Sequence, residues 1–216
     1  MIQDKKLHLF LLLSLVPALA LSRYGAKGGL DWWIQVSPIV VALPVLLVTY
    51  VRFRFTPIAY ILIWIYTIVL LIGAHYNYAD PVFNWLKQAL HLKRNDFDRL
   101  CHFLQGFVPA ILARELLLRR SRLLPGKKLF FIVISICMAA SALFEILEWW
   151  GAVLTHRSAG SFLGTQGDIW DTQEDMLTCF IGSIVSLLLL ARMHNRQLAR
   201  LGVDKVKEWL GTKSAF

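Results

Sequence analysis

Six separate runs of mostly apolar residues, each close to the thickness of a bilayer, constrain this chain more than any other feature. They cover about 7–22, 32–51, 56–74, 98–118, 129–150 and 172–191. At 1.5 Å per residue, about 20 helical residues cross a hydrocarbon core of about 30 Å. Within hydrocarbon a backbone must satisfy its own amides, so runs of this length fold as helices. The sequence therefore predicts an all-α, polytopic membrane helix bundle with six transmembrane helices. Hydrophobic residues make up 57% of the chain, above the roughly 45–50% of soluble domains. No linker, repeat or low-complexity tract divides it, so residues 1–216 read as a single integral membrane domain.

The first run follows Lys5 and Lys6 and ends near Ala18-Leu19-Ala20, which imitates a secretory signal. We expect it to be retained; cleavage would leave five spans in the same orientation. Trp32-Trp33 opens the second span as an interfacial belt, and Pro38 and Pro44 kink it. Between spans three and four, Asp80-Pro81 starts a helix too short to cross, with Val82, Phe83, Leu86 and Leu90 on one stripe and Trp85 as anchor. This is the predicted short interfacial helix. Gly160, Gly164 and Gly167, between spans five and six, suggest either a mobile cover or a backbone that must approach something closely. Residues 196–210 read as a basic cytoplasmic surface helix interrupted at Gly202.

The net charge of +9 does not point to nucleic acid. Most Lys and Arg fall at the two chain ends and in the connections after spans two and four, the strongest group being Arg114, Arg119, Arg120, Arg122, Lys127 and Lys128. By the positive-inside rule, both termini are cytoplasmic. Cys101, Cys137 and Cys179 show no paired spacing and read as core.

Alternation of the spans then brings the acids to one face. Asp98, His102 and Gln105 begin span four, Glu145 and Glu148 end span five, and Asp168, Asp171 and Asp175 precede or begin span six. Separations of three and four residues put each set on one side of its helix. Charged groups in spans face the bundle interior or water. His75 ends span three on the same face, as a further polar residue of the site with Gln105 and Asp168.

Several carboxylates cannot all stay ionised beside hydrocarbon without compensation, because like charges oppose one another. A divalent metal ion is the predicted cofactor, with Asp98, His102, Glu145, Glu148, Asp171 and Asp175 as candidate ligands and His102 or Glu145 as base. Protons and Arg99 are alternative sources of compensation. Asp171 with Glu174, or Thr172 with Asp175, also matches a helix-start capping box. Trp149, Trp150 and Trp170 read as interfacial belt residues.

These pieces carry a likeness. His75-Tyr-Asn, Asp98-Arg-x-x-His102-Phe-x-Gln105-Gly106, Phe144-Glu145-x-x-Glu148-Trp149-Trp150 and Gly164-x-Gln166-Gly167-Asp168-x-Trp170-Asp171-x-x-x-Asp175-Met176 resemble the YjdF-type bacterial inner-membrane proteins. The resemblance covers nearly the whole chain and implies a multi-pass protein of the bacterial inner (plasma) membrane, without implying a reaction. A weaker likeness, to VanZ-like membrane proteins, rests on Asp98 with His102-Phe103, Glu145, and Asp171 with Asp175 and Gly182, and implies cell-envelope chemistry. Asp175 and Glu148 stand where amides are more typical of that class.

The sequence thus leaves three functions open. The first is a metal-dependent hydrolase or transferase acting on an envelope lipid or lipid-linked head group. The second is a cation- or proton-coupled transporter, which the apolar stretches Phe130 to Met138 and Ser183 to Leu190 disfavour. The third is a non-catalytic membrane scaffold or sensor. No phosphate-cradling glycine loop, nucleophile elbow or dinucleotide fingerprint is present.

Overall fold

The computed structural model describes residues 2–26, 29–76, 84–89, 91, 94–154 and 168–214. Among them the chain forms eight helices: α1 (Ile2–Arg23), α2 (Gly29–Thr49), α3 (Pro57–Tyr76), α4 (Asn84–Ala89), α5 (Phe97–Arg120), α6 (Lys127–Leu154), α7 (Asp171–Arg200) and α8 (Asp204–Ser214). Six of them, all but α4 and α8, are long and apolar enough to cross a membrane. The predicted start of the interfacial helix at Asp80-Pro81, the side chain of Trp85 and the glycines at 160, 164 and 167 lie outside the described residues.

At the centre, α5 and α7 touch backbone to backbone. A Cβ on Gly106 would meet the Cys179 carbonyl oxygen at 1.9 Å, and one on Gly182 would meet the Phe103 carbonyl oxygen at 2.0 Å. Small residues permit this approach where lipid supplies no hydrophobic drive between helices. Leu118, Val133, Cys137, Cys179 and Leu187 fill the core around the pair. All three cysteines are free and buried.

The amino-terminal helices form a second layer. Trp64 of α3 donates to the Ser14 hydroxyl at 2.8 Å, and the Ser22 hydroxyl donates to the Leu71 carbonyl at 2.7 Å, tying α1 to α3. Trp32 is buried and donates to Ser22 at 3.0 Å, so only Trp33 of the predicted indole pair is exposed as a belt residue. Trp149, Trp150 and Trp170 are exposed.

Span six is longer than its apolar run. The 30 residues of α7 measure about 45 Å and continue past residue 191 to Arg200. Gly202, at φ 84°, ends it: its N–H donates to the Ala199 carbonyl and that of Val203 to the Leu198 carbonyl, a Schellman closure. The tail helix is therefore α8, starting at Asp204 rather than residue 196, and Val206 seats it against the α5–α7 core.

Candidate functional site

The α5–α7 contact positions a buried polar cluster on the face away from the chain termini. Asp98 and His102 stand one turn apart on α5, Asp175 faces them from α7, and Glu145 approaches from α6; all four are buried. His102 Nε2 lies 3.8 Å from Asp98 Oδ1 and 3.9 Å from Asp175 Oδ2. On the other side of the ring, Nδ1 lies 3.6 Å from Glu145 Oε1. One imidazole is thus bracketed by three carboxylates from three helices.

Buried polar groups are normally hydrogen-bonded. Here His102 Nδ1, Glu145 Oε1, Asp175 Oδ1 and the adjacent Gln105 Oε1 are buried with no hydrogen-bond partner among the described residues. One donor atom each from Asp98, His102 and Asp175 all lie within 4.8 Å of one another. Ligand atoms around a six-coordinate ion with bonds of about 2.1–2.4 Å are about 3–5 Å apart, so these three fit a divalent cation. With an ion there, Glu145 would be the carboxylate placed to orient the imidazole through Nδ1, 3.6 Å away.

The remaining predicted residues divide. Glu148 and Gln105 wall a cavity shared with Asp98 and His102. Asp171 and Asp168 belong to an adjoining layer of ion pairs: Arg94 pairs with Asp171 and, at 3.3 Å, with Asp168, while Arg99 pairs with Glu174, with Asp168 at 3.0 Å and with Asp96 at 2.9 Å. These arginines compensate the outlying acids; among the described residues, Asp98, Glu145 and Asp175 have only His102 within ion-pair distance.

The Trp170 backbone N–H, helped by Arg94 and Arg99, holds the Asp168 carboxyl below its ordinary range. Partial burial works against the charge of Arg94, but hydrogen bonds to Asp171 and Asp168 outweigh it and hold the guanidinium above its ordinary value. His75 stands apart, with Nδ1 3.0 Å from the Ser22 carbonyl oxygen. The capping-box expectation is corrected: Trp170 is the N-cap of α7, without a side-chain cap, and Asp171 is already helical and pairs with Arg94. Its charge there complements the helix dipole.

A second buried network, unforeseen in the sequence, occupies the opposite end of α5 and α7. Glu115 is fully buried and accepts from the Thr56 backbone and hydroxyl, from Arg119 at 2.8 Å and from His194 Nε2 at 3.0 Å. Arg114 donates to His194 Nδ1 at 2.8 Å and to Asn195 Oδ1 at 2.5 Å. The stretches Phe130 to Met138 and Ser183 to Leu190 stay apolar; the network lies on α5 and on α7 beyond Leu190. The readable signal was the adjacent Arg114-Glu115 pair inside a predicted span.

Residues 7–196 match the family described as "Predicted membrane protein (DUF2238)". The chain belongs to that family. It is 41% identical over 192 residues to "Inner membrane protein YjdF" of Escherichia coli (strain K12), covering 88% of this chain and 92% of the relative. No solved structure matches. With six spans and this family membership, the chain is a multi-pass membrane protein.

Proposed function

We propose that the protein is a divalent-cation-dependent hydrolase or transferase acting on an envelope lipid or lipid-linked head group. The observation that carries this reading is the convergence of buried Asp98, His102 and Asp175 donor atoms within 4.8 Å. Asp98, Nε2 of His102 and Asp175 would hold the ion, and Glu145 would steady the imidazole. A bound divalent ion supplies polarisation of a phosphoryl or ester oxygen and a more acidic water. Glu148, in the cavity wall beside them, exchanges protons with the reacting oxygens. Of the two roles expected for His102, ligand and base, this reading keeps the ligand.

The bias of Lys and Arg toward the terminal face supports cytoplasmic termini in the plasma membrane, with the cluster opening to the periplasm. A carboxy-terminal fluorescent-protein fusion should then fluoresce, and an alkaline phosphatase fusion at the same end should be inactive; the reverse result inverts the topology. Transport is the weaker reading, because the Arg114–Glu115–His194 network is closed by reciprocal hydrogen bonds and sets a fixed cation in the way of a cation path. The direct test is turnover of envelope phospholipids in proteoliposomes. Turnover that stops with chelator and in Asp175→Asn supports the enzyme; cation flux without turnover contradicts it.

A further inference from the structure

The cavity beside the cluster has a volume of about 100 Å³ and is bounded by Gln35 and Pro38 of α2, Tyr66 and Leu70 of α3, and Glu148 of α6. Pro38, Tyr66 and Leu70 also wall a larger cavity of about 530 Å³ that continues between α2, α3 and α5 to Thr49, Phe53 and Arg120. The two cavities share these three walls and so adjoin, as a two-part trough. Its cluster end is acidic and polar, and the rest is lined by side chains such as Ile39, Ala42, Leu46, Val108 and Leu112. The larger part falls within the roughly 300–1,000 Å³ of ligand sites. Along α2, from Pro38 to Thr49, it extends about 17 Å, more than half of a hydrocarbon core of about 30 Å.

We propose that this trough holds one acyl chain of a membrane phospholipid whose phosphate lies against the Asp98–His102–Asp175 site. The assignment rests on the cation reading of that site and names its substrate class. Acidic side chains alone offer an anionic phosphate no opposite charge, and the cation supplies it. A small water-soluble substrate would leave the aliphatic part of the trough without a role. A lipid chain passing from bilayer to trough exchanges one hydrocarbon setting for another and gains little affinity. What it gains is register: the chain's depth fixes where the phosphate hangs relative to the cluster, the positioning on which rate depends.

The test uses the full chain in lipid nanodiscs containing Mn²⁺ and a phospholipid with a photoactivatable diazirine at the end of one acyl chain. With the phosphate at the cluster, the chain end should label residues near Thr49, Phe53 and Leu112, and labelling should be lost in Ala42→Trp, which fills the trough. Ala42→Trp should keep its Mn²⁺, separating a blocked trough from a damaged cluster. Labelling near Pro38 and Tyr66 would reverse the lipid, placing its head at Arg120, and overturn the proposal. Persistence in Ala42→Trp, or equal labelling of the lipid-facing Leu188 and Leu189, would also overturn it. So would equal labelling by a diacylglycerol probe that lacks phosphate. If the wild-type chain holds no Mn²⁺ yet trough labelling is lost in Ala42→Trp, the cation reading fails and the phosphate placement fails with it, while the trough stands as a chain site.

Discussion

His102 Nδ1 and Glu145 Oε1 face each other at 3.6 Å, and neither has a hydrogen-bond partner among the described residues although both side chains are buried. A proton on Nδ1 directs the Nε2 lone pair toward Asp98 and Asp175, the arrangement a metal-bound histidine needs. Replacing Glu145 with Gln should weaken divalent-ion binding by about 10–100-fold, the range for such supporting carboxylates. His102→Ala should abolish it. Calorimetric titration of Mn²⁺ or Zn²⁺ into purified protein compares them, and equal affinities in the three proteins would remove Glu145 and His102 from the site.

The glycine contact of α5 and α7 makes a steric prediction. Gly106→Ala or Gly182→Ala must push the helices apart, because the new methyl group meets a carbonyl oxygen at 1.9 or 2.0 Å. Overpacking of this kind costs about 1–3 kcal/mol or more, read as a lower unfolding temperature in detergent. Divalent-ion binding should weaken too, since the ligands sit on the two displaced helices. Gly126→Ala, with nothing within 4 Å of the added carbon, is the control and should change neither.

Glu115 is a different case, because every partner in its network is already engaged. Glu115→Ala leaves His194 and Arg119 without their buried anion, and breaking a buried pair in this way costs about 3–5 kcal/mol. The variant should unfold at markedly lower temperature, and its surviving folded fraction should bind divalent ions with wild-type affinity. Loss of ion binding with unchanged stability would make this end part of the functional site instead.

Acid should loosen the ion-pair layer before the helices. Asp168 has a folded-state pKa below its unfolded value, so its stabilising pairing is fully present above an ordinary Asp pKa of about 3.9 and is lost as pH falls through the lower, folded value. A proteolysis or hydrogen-exchange profile should therefore show residues 168–170 opening only below about pH 4. Asp168→Asn should show that opening at neutral pH. Opening of the wild type near pH 6 would contradict the pairing with Arg94 and Arg99.

Much of this arrangement was legible in the sequence. Span number follows from apolar run length, and the shared face of Asp98, His102, Glu145 and Asp175 follows from alternation and helical spacing. Which acids meet was not legible. Arg94, in the connection before α5, takes Asp171 away from the cluster, and a loop residue's partner is set by chain geometry that periodicity does not carry. The second network was hidden because Arg192, Arg196 and Arg200 make the end of α7 read as a tail. Buried His194, Asn195 and Leu198 pack that segment against the bundle, with His194 bonded to Glu115 and Asn195 to Arg114 of α5.

The most direct measurement is the divalent-ion content of the purified protein after equilibrium dialysis against Mn²⁺ or Zn²⁺, by elemental mass spectrometry, for wild type and for His102→Ala/Asp175→Asn. We expect about one ion per wild-type chain and none in the double variant, as removal of two of three ligands requires. An ion-free wild type, or equal content in both proteins, would mean that Asp98, His102 and Asp175 are gathered for something other than a metal.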